Sequence, residues 1–188
     1  MITELFMATH NPGKIAELEE YLKPYNISIK SSNDIKYPET DETGTTFEEN
    51  SILKVKDGYK VSGLPTIADD SGICVDALNG EPGVYSARYK GGYKTVLEKL
   101  TGNDNRKAHF TCVITYINEN EDLHVFNGES HGTLATSPQG EGGFGYDPVF
   151  IPNGESKTYG EMNKEEKAKT SHRRKALTQF LDFLALEQ

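Results

Sequence analysis

Leu5-Phe6-Met7-Ala8-Thr9-His10-Asn11-Pro12-Gly13-Lys14 passes from an apolar run into a tight polar turn. Asn11 suits the cap of a following helix, and Pro12 fits the first helical position, where its missing N–H costs nothing. Ile15, Leu18 and Leu22 then mark one apolar face, so residues 5–22 read as strand, turn and helix. Working outward, a second apolar stretch near Ile27 to Ile29 runs into a polar loop. Phe47, Ile52, Val55 and Tyr59 form a less regular helical stripe that ends at Gly63, and Thr66 to Asp69 reads as the next strand. A βαβα beginning of this kind predicts an α/β fold with helices packed on a twisted sheet.

Farther along, residues 108–117 and 123–127 are rich in Phe, Val, Ile, Tyr and Thr and flank Asn118-Glu119-Asn120-Glu121-Asp122. This predicts two antiparallel strands joined by a turn, with a third strand near Gly132 to Ala135. The closing segment, Ser171 to Leu186, carries Leu177, Phe180, Leu181 and Leu184 at the spacing of an amphipathic helix, which reads as core packing.

At 188 residues the chain is long enough for one well-buried core, and no linker divides it, so 1–188 is expected to act as a single domain. No stretch approaches the roughly 20 apolar residues of a membrane span, and a secretory layout is missing at the N-terminus. A cytoplasmic protein is expected. Cys74 and Cys112 lie in apolar runs without His or Cys at ligand spacing and read as buried free thiols. The net charge of −9 argues against a nucleic-acid polymer as partner. A small anion remains accessible, because local cations decide its binding.

Four segments carry candidate chemistry. Asp69-Asp70-Ser71-Gly72, delivered by the apolar run Pro65 to Ala68, groups two carboxylates and a hydroxyl. Such groups suit Mg²⁺, which prefers carboxylate oxygens and is often completed by substrate phosphates; the same residues also make a good turn. The turn Thr9 to Lys14 offers a hydroxyl, an ammonium and the N–H groups of a helix N-terminus to an anion, or it is simply a capped helix with a solvated lysine. It is not a Walker A loop, since the glycine spacing differs and Ile15 follows the lysine. Lys54 lies one helical turn beyond Asn50 with Glu49 nearby, an arrangement that surface decoration also explains. Gly142-Gly143-Phe144-Gly145 combines a flat aromatic face with close backbone approach.

Taken in order with Thr45-Thr46-Phe47-Glu48-Glu49-Asn50, Pro82-Gly83-Val84-Tyr85-Ser86-Ala87-Arg88-Tyr89, Tyr146-Asp147-Pro148 and Ser171-His172-Arg173, these segments resemble the inosine triphosphate pyrophosphatase family, from about residue 5 to residue 178. The family hydrolyses non-canonical purine nucleoside triphosphates to monophosphate and pyrophosphate, and the likeness is strongest to its bacterial members. The resemblance implies an elongated mixed α/β protein, two lobes around a central nucleotide-binding cleft, and a homodimer. It implies Mg²⁺ as cofactor, and it places Thr9, His10, Asn11, Pro12, Gly13, Lys14 and Lys54 at the phosphates. It implies that Asp70 carries the reaction, with Ser71 on the substrate and Asp69 as an additional outer metal ligand. Relatives place a metal-binding Glu where this chain has Asp41, so the metal is expected on Asp70 and on Asp41 or its neighbour Glu42. Phe144, Gly145, Tyr146, Asp147, Lys167, His172 and Arg173 are expected around the base, ITP, dITP and XTP being the substrates. Arg88 reads as a structural ion-pair partner. Two rivals are a pyrophosphatase for modified pyrimidine nucleotides, as in the septum-associated relatives, and a nucleotide sensor without catalysis. The Phe144 to Asp147 loop with Ser-His-Arg weighs against the first, and the set Asp70, Lys14, Lys54 with an acid at 41 or 42 against the second.

Overall fold

The computed structural model describes Met1–Glu187. It is mixed α/β: strands β1 (Glu4–Met7), β2 (Ser28–Lys30), β3 (Thr66–Val75), β4 (Lys107–Ile117), β5 (Leu123–Leu134) and β6 (Phe150–Pro152), with helices α1 (Pro12–Leu22), α2 (Phe47–Ser62), α3 (Tyr93–Lys99), α4 (Lys164–Ala168) and α5 (His172–Glu187). The six-stranded sheet has the order β2-β1-β3-β4-β5-β6. Strand β1 pairs in parallel with β2 and β3, and β6 runs antiparallel to β5. The chain divides into two compact units. The first comprises Met1–Asp70, Val113–Phe126 and the stretch from Phe180; the second comprises Ser71–Cys112 and Asn127–Gln179.

In the first unit, α1 starts as its sequence requires. Asn11 caps it, its side chain accepting from Gly13 N–H at 2.9 Å and Lys14 N–H at 3.4 Å, and Ile15, Leu18 and Leu22 are buried. Helix α2 begins at the Thr46 cap and ends at Gly63, whose φ of 66° is the left-handed conformation glycine adopts without strain. Its buried face differs from the predicted stripe. Asn50, Ser51, Val55 and Gly58 are buried, whereas Phe47, Ile52 and Tyr59 are half-buried. Hydrogen bonds offset most of the cost of the polar members: Asn50 Oδ1 accepts from Gly44 N–H at 2.8 Å and the Ser51 and Thr115 hydroxyls meet at 2.8 Å, while Asn50 Nδ2 is buried without a partner among the described residues. At Gly58 a Cβ would lie 2.8 Å from Ala8 Cβ and 2.9 Å from Thr66 Cγ2, so glycine lets the helix approach the sheet. Phe6, Ala8, Tyr37, Val55, Ala68 and Ile117 form a core cluster here.

Two strands outrun their sequence signals. Asp69 to Gly72 do not turn; β3 continues through them to the buried Ile73 and Val75. An Asx turn requires the carboxylates to bond their own backbone, and here distant ammonium groups engage them. The strand predicted near Gly132 to Ala135 is the end of β5, which runs unbroken from Leu123 and meets β6 at Gly132 to Leu134. In the second unit, Ile73, Val96, Phe110, Val149, Phe150 and Tyr159 belong to one apolar core. Leu177, Phe180 and Leu184 of α5 are buried as predicted, and Leu181 is half-buried. Strand β6 and helices α3 and α4 are three to seven residues long, too short for a periodic signal to separate them from loops.

Candidate active site

In the first unit the turn after β1, the loop before α2, helix α2 and strand β3 supply a network of two ammonium groups and three carboxylates. Lys14, in the first turn of α1, places Nζ 2.8 Å from Asp69 Oδ2. Lys54 reaches from α2 to Asp70 Oδ1 at 3.2 Å, the Asp69 carbonyl at 2.8 Å and Glu42 Oε1 at 2.7 Å. Asp69 and Asp70 are buried, at 3% and 7% exposure, which is costly for carboxylates without compensating charge. Burial pushes the Asp70 carboxyl up to about 6; Lys54 opposes the rise, while Glu42 and Asp69 reinforce it. For Lys54, burial works against the charged form, but Asp69, Asp70 and Glu42 together hold it above its ordinary value. Asp70 Oδ2 is buried and has no hydrogen-bond partner among the described residues.

The acid-bearing loop is laid along one stripe of α2. Thr40 Oγ1 donates to Asp57 Oδ2 at 2.8 Å, Glu42 pairs with Lys54, and Gly44 N–H donates to Asn50 Oδ1. Residues 50, 54 and 57 follow the i, i+4, i+7 spacing of one helix face, and loop residues 44, 42 and 40 meet them in reverse order. Alternate loop positions therefore face the helix, and the position between is turned away. Of the two candidate acids, Glu42 is the one brought to Lys54 and Asp70, while Asp41 is exposed.

The second unit holds the other predicted group. Phe144 is 78% exposed. Asp147 is buried, and its Oδ2 accepts from Phe144 N–H at 3.1 Å and from Lys167 Nζ at 2.7 Å. Lys167 also stands 5.1 Å from the centroid of the Phe144 ring. Gly143 has φ 67°, and a Cβ there would collide with Asp147 Oδ2, so glycine makes this loop closure possible. Tyr146 is buried, its hydroxyl donating to the Ser86 carbonyl at 2.8 Å, and so it anchors the loop from within. The His172 ring, at the start of α5, stacks on Phe110 with centroids 4.7 Å apart, and Arg173 beside it is half-buried. Ser71 follows Asp70 in β3 and is half-buried. Arg88 lies 5.2 Å from the centroid of the exposed Tyr85 ring.

Sequence reasoning missed Tyr37, Thr40, Asp57 and the tertiary role of Asn50. Only Asn50 left a signal, as a polar residue one turn before Lys54 in an otherwise amphipathic helix.

An open mixed sheet whose buried strand acids face lysines from two flanking helices is the frame of an enzyme that handles phosphate groups. The chain belongs to the Ham1 family, whose profile matches residues 5–183. It is 48% identical over 182 residues to a protein named dITP/XTP pyrophosphatase from Exiguobacterium sp., covering 93% of each chain. It is 43% identical over 192 residues to the protein of that name from Escherichia coli strain K12, covering 96% of this chain and 98% of the relative. Among solved structures, the Ham1 protein of Staphylococcus aureus superposes with a TM-score of 0.91 at 40% identity, covering 98% of this chain and 100% of the other. A nucleoside-triphosphatase / dITP/XTP pyrophosphatase from Mycobacterium abscessus gives a TM-score of 0.81 at 38% identity, covering 95% and 98%.

Proposed function

We propose that this protein hydrolyses the non-canonical purine nucleoside triphosphates dITP, ITP and XTP between the α and β phosphates, releasing the monophosphate and pyrophosphate and so clearing them from the nucleotide pool. The observation that carries the reading is Asp70: a buried carboxylate with one oxygen unpaired among the described residues, held at about 6 and flanked by Lys54. A carboxyl held at about 6 is ionised at pH 7 to 8 yet still basic enough to take a proton from water. In this reading the ammonium groups of Lys14 and Lys54 exchange carboxylate partners for phosphate oxygens, and Asp70 orients the attacking water. The α1 N-terminus adds little of its own to this anion site, because Pro12 has no N–H and the Gly13 and Lys14 N–H groups are already held by Asn11 Oδ1.

The donor set also fits Mg²⁺. Three carboxylates, Glu42, Asp69 and Asp70, face two ammonium groups, and the buried Asp70 Oδ2, without a hydrogen-bond partner among the described residues, is an oxygen of the kind a hard cation takes. No cage of three or more His, Cys, Asp or Glu ligands forms among the described residues. Mg²⁺ usually takes only one or two protein carboxylates and completes its shell with waters and substrate phosphates. Asp70 and Glu42 are the residues to hold it, ahead of Asp41. When bound, the ion relieves the negative charge that builds on the phosphoryl oxygens.

The exposed Phe144 ring offers a face for stacking a purine, and the Asp147, Lys167, His172 and Arg173 side chains supply polar groups for the base. Hypoxanthine and xanthine carry a 6-oxo group where adenine carries an amine, so a donor directed at that oxygen loses its bond with ATP. The chain 1–188 is proposed to act as a single functional domain. No described helix is long and apolar enough to cross a membrane, and the expected setting is a cytoplasmic homodimer, which light scattering on the purified protein tests. The test of the reaction is a panel of nucleoside triphosphates with Mg²⁺ and chromatographic separation of products. The expected result is pyrophosphate from ITP and XTP with kcat/KM at least roughly 100-fold above ATP. Orthophosphate as the product refutes the reaction type, and equal rates on ATP refute the specificity.

A further inference from the structure

Tyr37 lies just before the loop that carries Glu42. It is 5% exposed, its ring packs edge-on against Phe6 with centroids 5.7 Å apart, and it stacks face to face on His10 with centroids 5.3 Å apart and planes 14° from parallel. His10 is an exposed residue of the Thr9 to Lys14 turn. The phenol hydroxyl lies 2.8 Å from Thr40 Oγ1, and that oxygen donates its only proton to Asp57. The shared bond therefore has one direction: Tyr37 donates to Thr40, and Thr40 donates to Asp57. A charged acceptor at the end of such a chain strengthens each bond in it. The other end of the loop is held by Gly44 on Asn50, and Glu42 lies between the two anchors.

We propose that Tyr37 is a positioning residue: its hydroxyl fixes the loop so that Glu42 stays at Lys54 and Asp70, and its ring, stacked on His10, couples that loop to the phosphate-binding turn. The inference deepens the pyrophosphatase reading and rests on it. The hydroxyl also lies 3.5 Å from the Lys54 carbonyl, so it meets the loop and α2 at the turn that carries Lys54. The hydroxyl and the ring have separable duties. The first serves the carboxylate end of the site and the second serves the turn around His10.

The test uses Tyr37→Phe, Thr40→Val and the double variant in the full chain, with Tyr37→Leu removing the ring. Calorimetric titration with Mg²⁺ alone provides a readout apart from turnover. Loss of one charge-assisted chain should weaken Mg²⁺ binding about five- to tenfold in Tyr37→Phe, while kcat at saturating Mg²⁺ stays within about twofold. Thr40→Val should reproduce this, and the double variant should be no worse than either single one. Tyr37→Leu should in addition raise KM for ITP. Thr40→Val breaks the same chain from its other end, so the proposal stays testable should Tyr37→Phe not fold. Unchanged Mg²⁺ affinity in Tyr37→Phe and Thr40→Val, or additive losses in the double variant, overturns the proposal. Failure of the wild-type protein to release pyrophosphate from ITP overturns the functional reading instead.

Discussion

Replacing Asp70 by Asn should make this protein more stable and nearly inactive at once. The carboxyl is raised from the ordinary 3.8 to about 6, first by burial and then by the charges of Glu42 and Asp69, against the pull of Lys54. A raised carboxyl binds its proton more tightly in the folded state than in the unfolded one. Its ionisation therefore costs folding stability progressively as pH rises from about 4 through about 6, and the full cost is present above that. That rise corresponds to about 3 kcal/mol, reduced to about 2 kcal/mol once local relaxation is allowed for. Asn has nearly the same shape and carries no charge at any pH, and Lys54 keeps Glu42 and the Asp69 carbonyl as partners. At pH 8, without metal or nucleotide, Asp70→Asn should melt about 4 to 8 °C above the wild type. The difference should shrink toward zero near pH 4. Turnover on ITP should fall by about 10² to 10⁴, the usual effect of losing a general base, and more with a metal contact also lost. Scanning calorimetry from pH 4 to 8, paired with pyrophosphate release, measures both. A melting temperature unchanged or lowered at pH 8 refutes the argument that this carboxylate is buried at a cost. A folded Asp70→Asn protein with near wild-type turnover removes Asp70 from catalysis.

Two further outcomes are expected. Phe144→Ala should raise KM for ITP with kcat little changed, because stacking acts on ground state and transition state alike; unchanged KM with reduced kcat would make Phe144 a structural residue. Gly58→Ala should lower the melting temperature by roughly 2 to 8 °C, since a Cβ pressed against Ala8 and Thr66 outweighs the helix preference for alanine, and a higher melting temperature would refute the close approach of α2 to the sheet.

Local rules were enough for several elements whose signals lie within a few residues along the chain. Asn11, Pro12 and the Ile15, Leu18, Leu22 face define α1 without reference to anything distant, and Gly63 ends α2 by its own backbone freedom. Asn118 to Asp122 likewise breaks β4 from β5, with Asn118 N–H bonded to the Asp122 carbonyl. The motifs around Lys14, Lys54, Asp70 and Phe144 made the family legible because their order and spacing are properties of the sequence itself. Tertiary contacts decided what those rules left open. Asp69 to Gly72 satisfy every local requirement of a turn, yet they continue a strand because Lys14 and Lys54, 55 and 16 residues away, take their carboxylates. The buried face of α2 is polar in part because Gly44 and Thr115 supply partners no helical periodicity can reveal. The choice of Glu42 over Asp41 at Lys54 follows from a loop laid in reverse along the Asn50, Lys54, Asp57 stripe, and alternation along that loop turns one acid in and its neighbour out. Hydrogen bonds and ion pairs between distant segments depend on where the fold brings them, and that placement is absent from any short stretch of the chain.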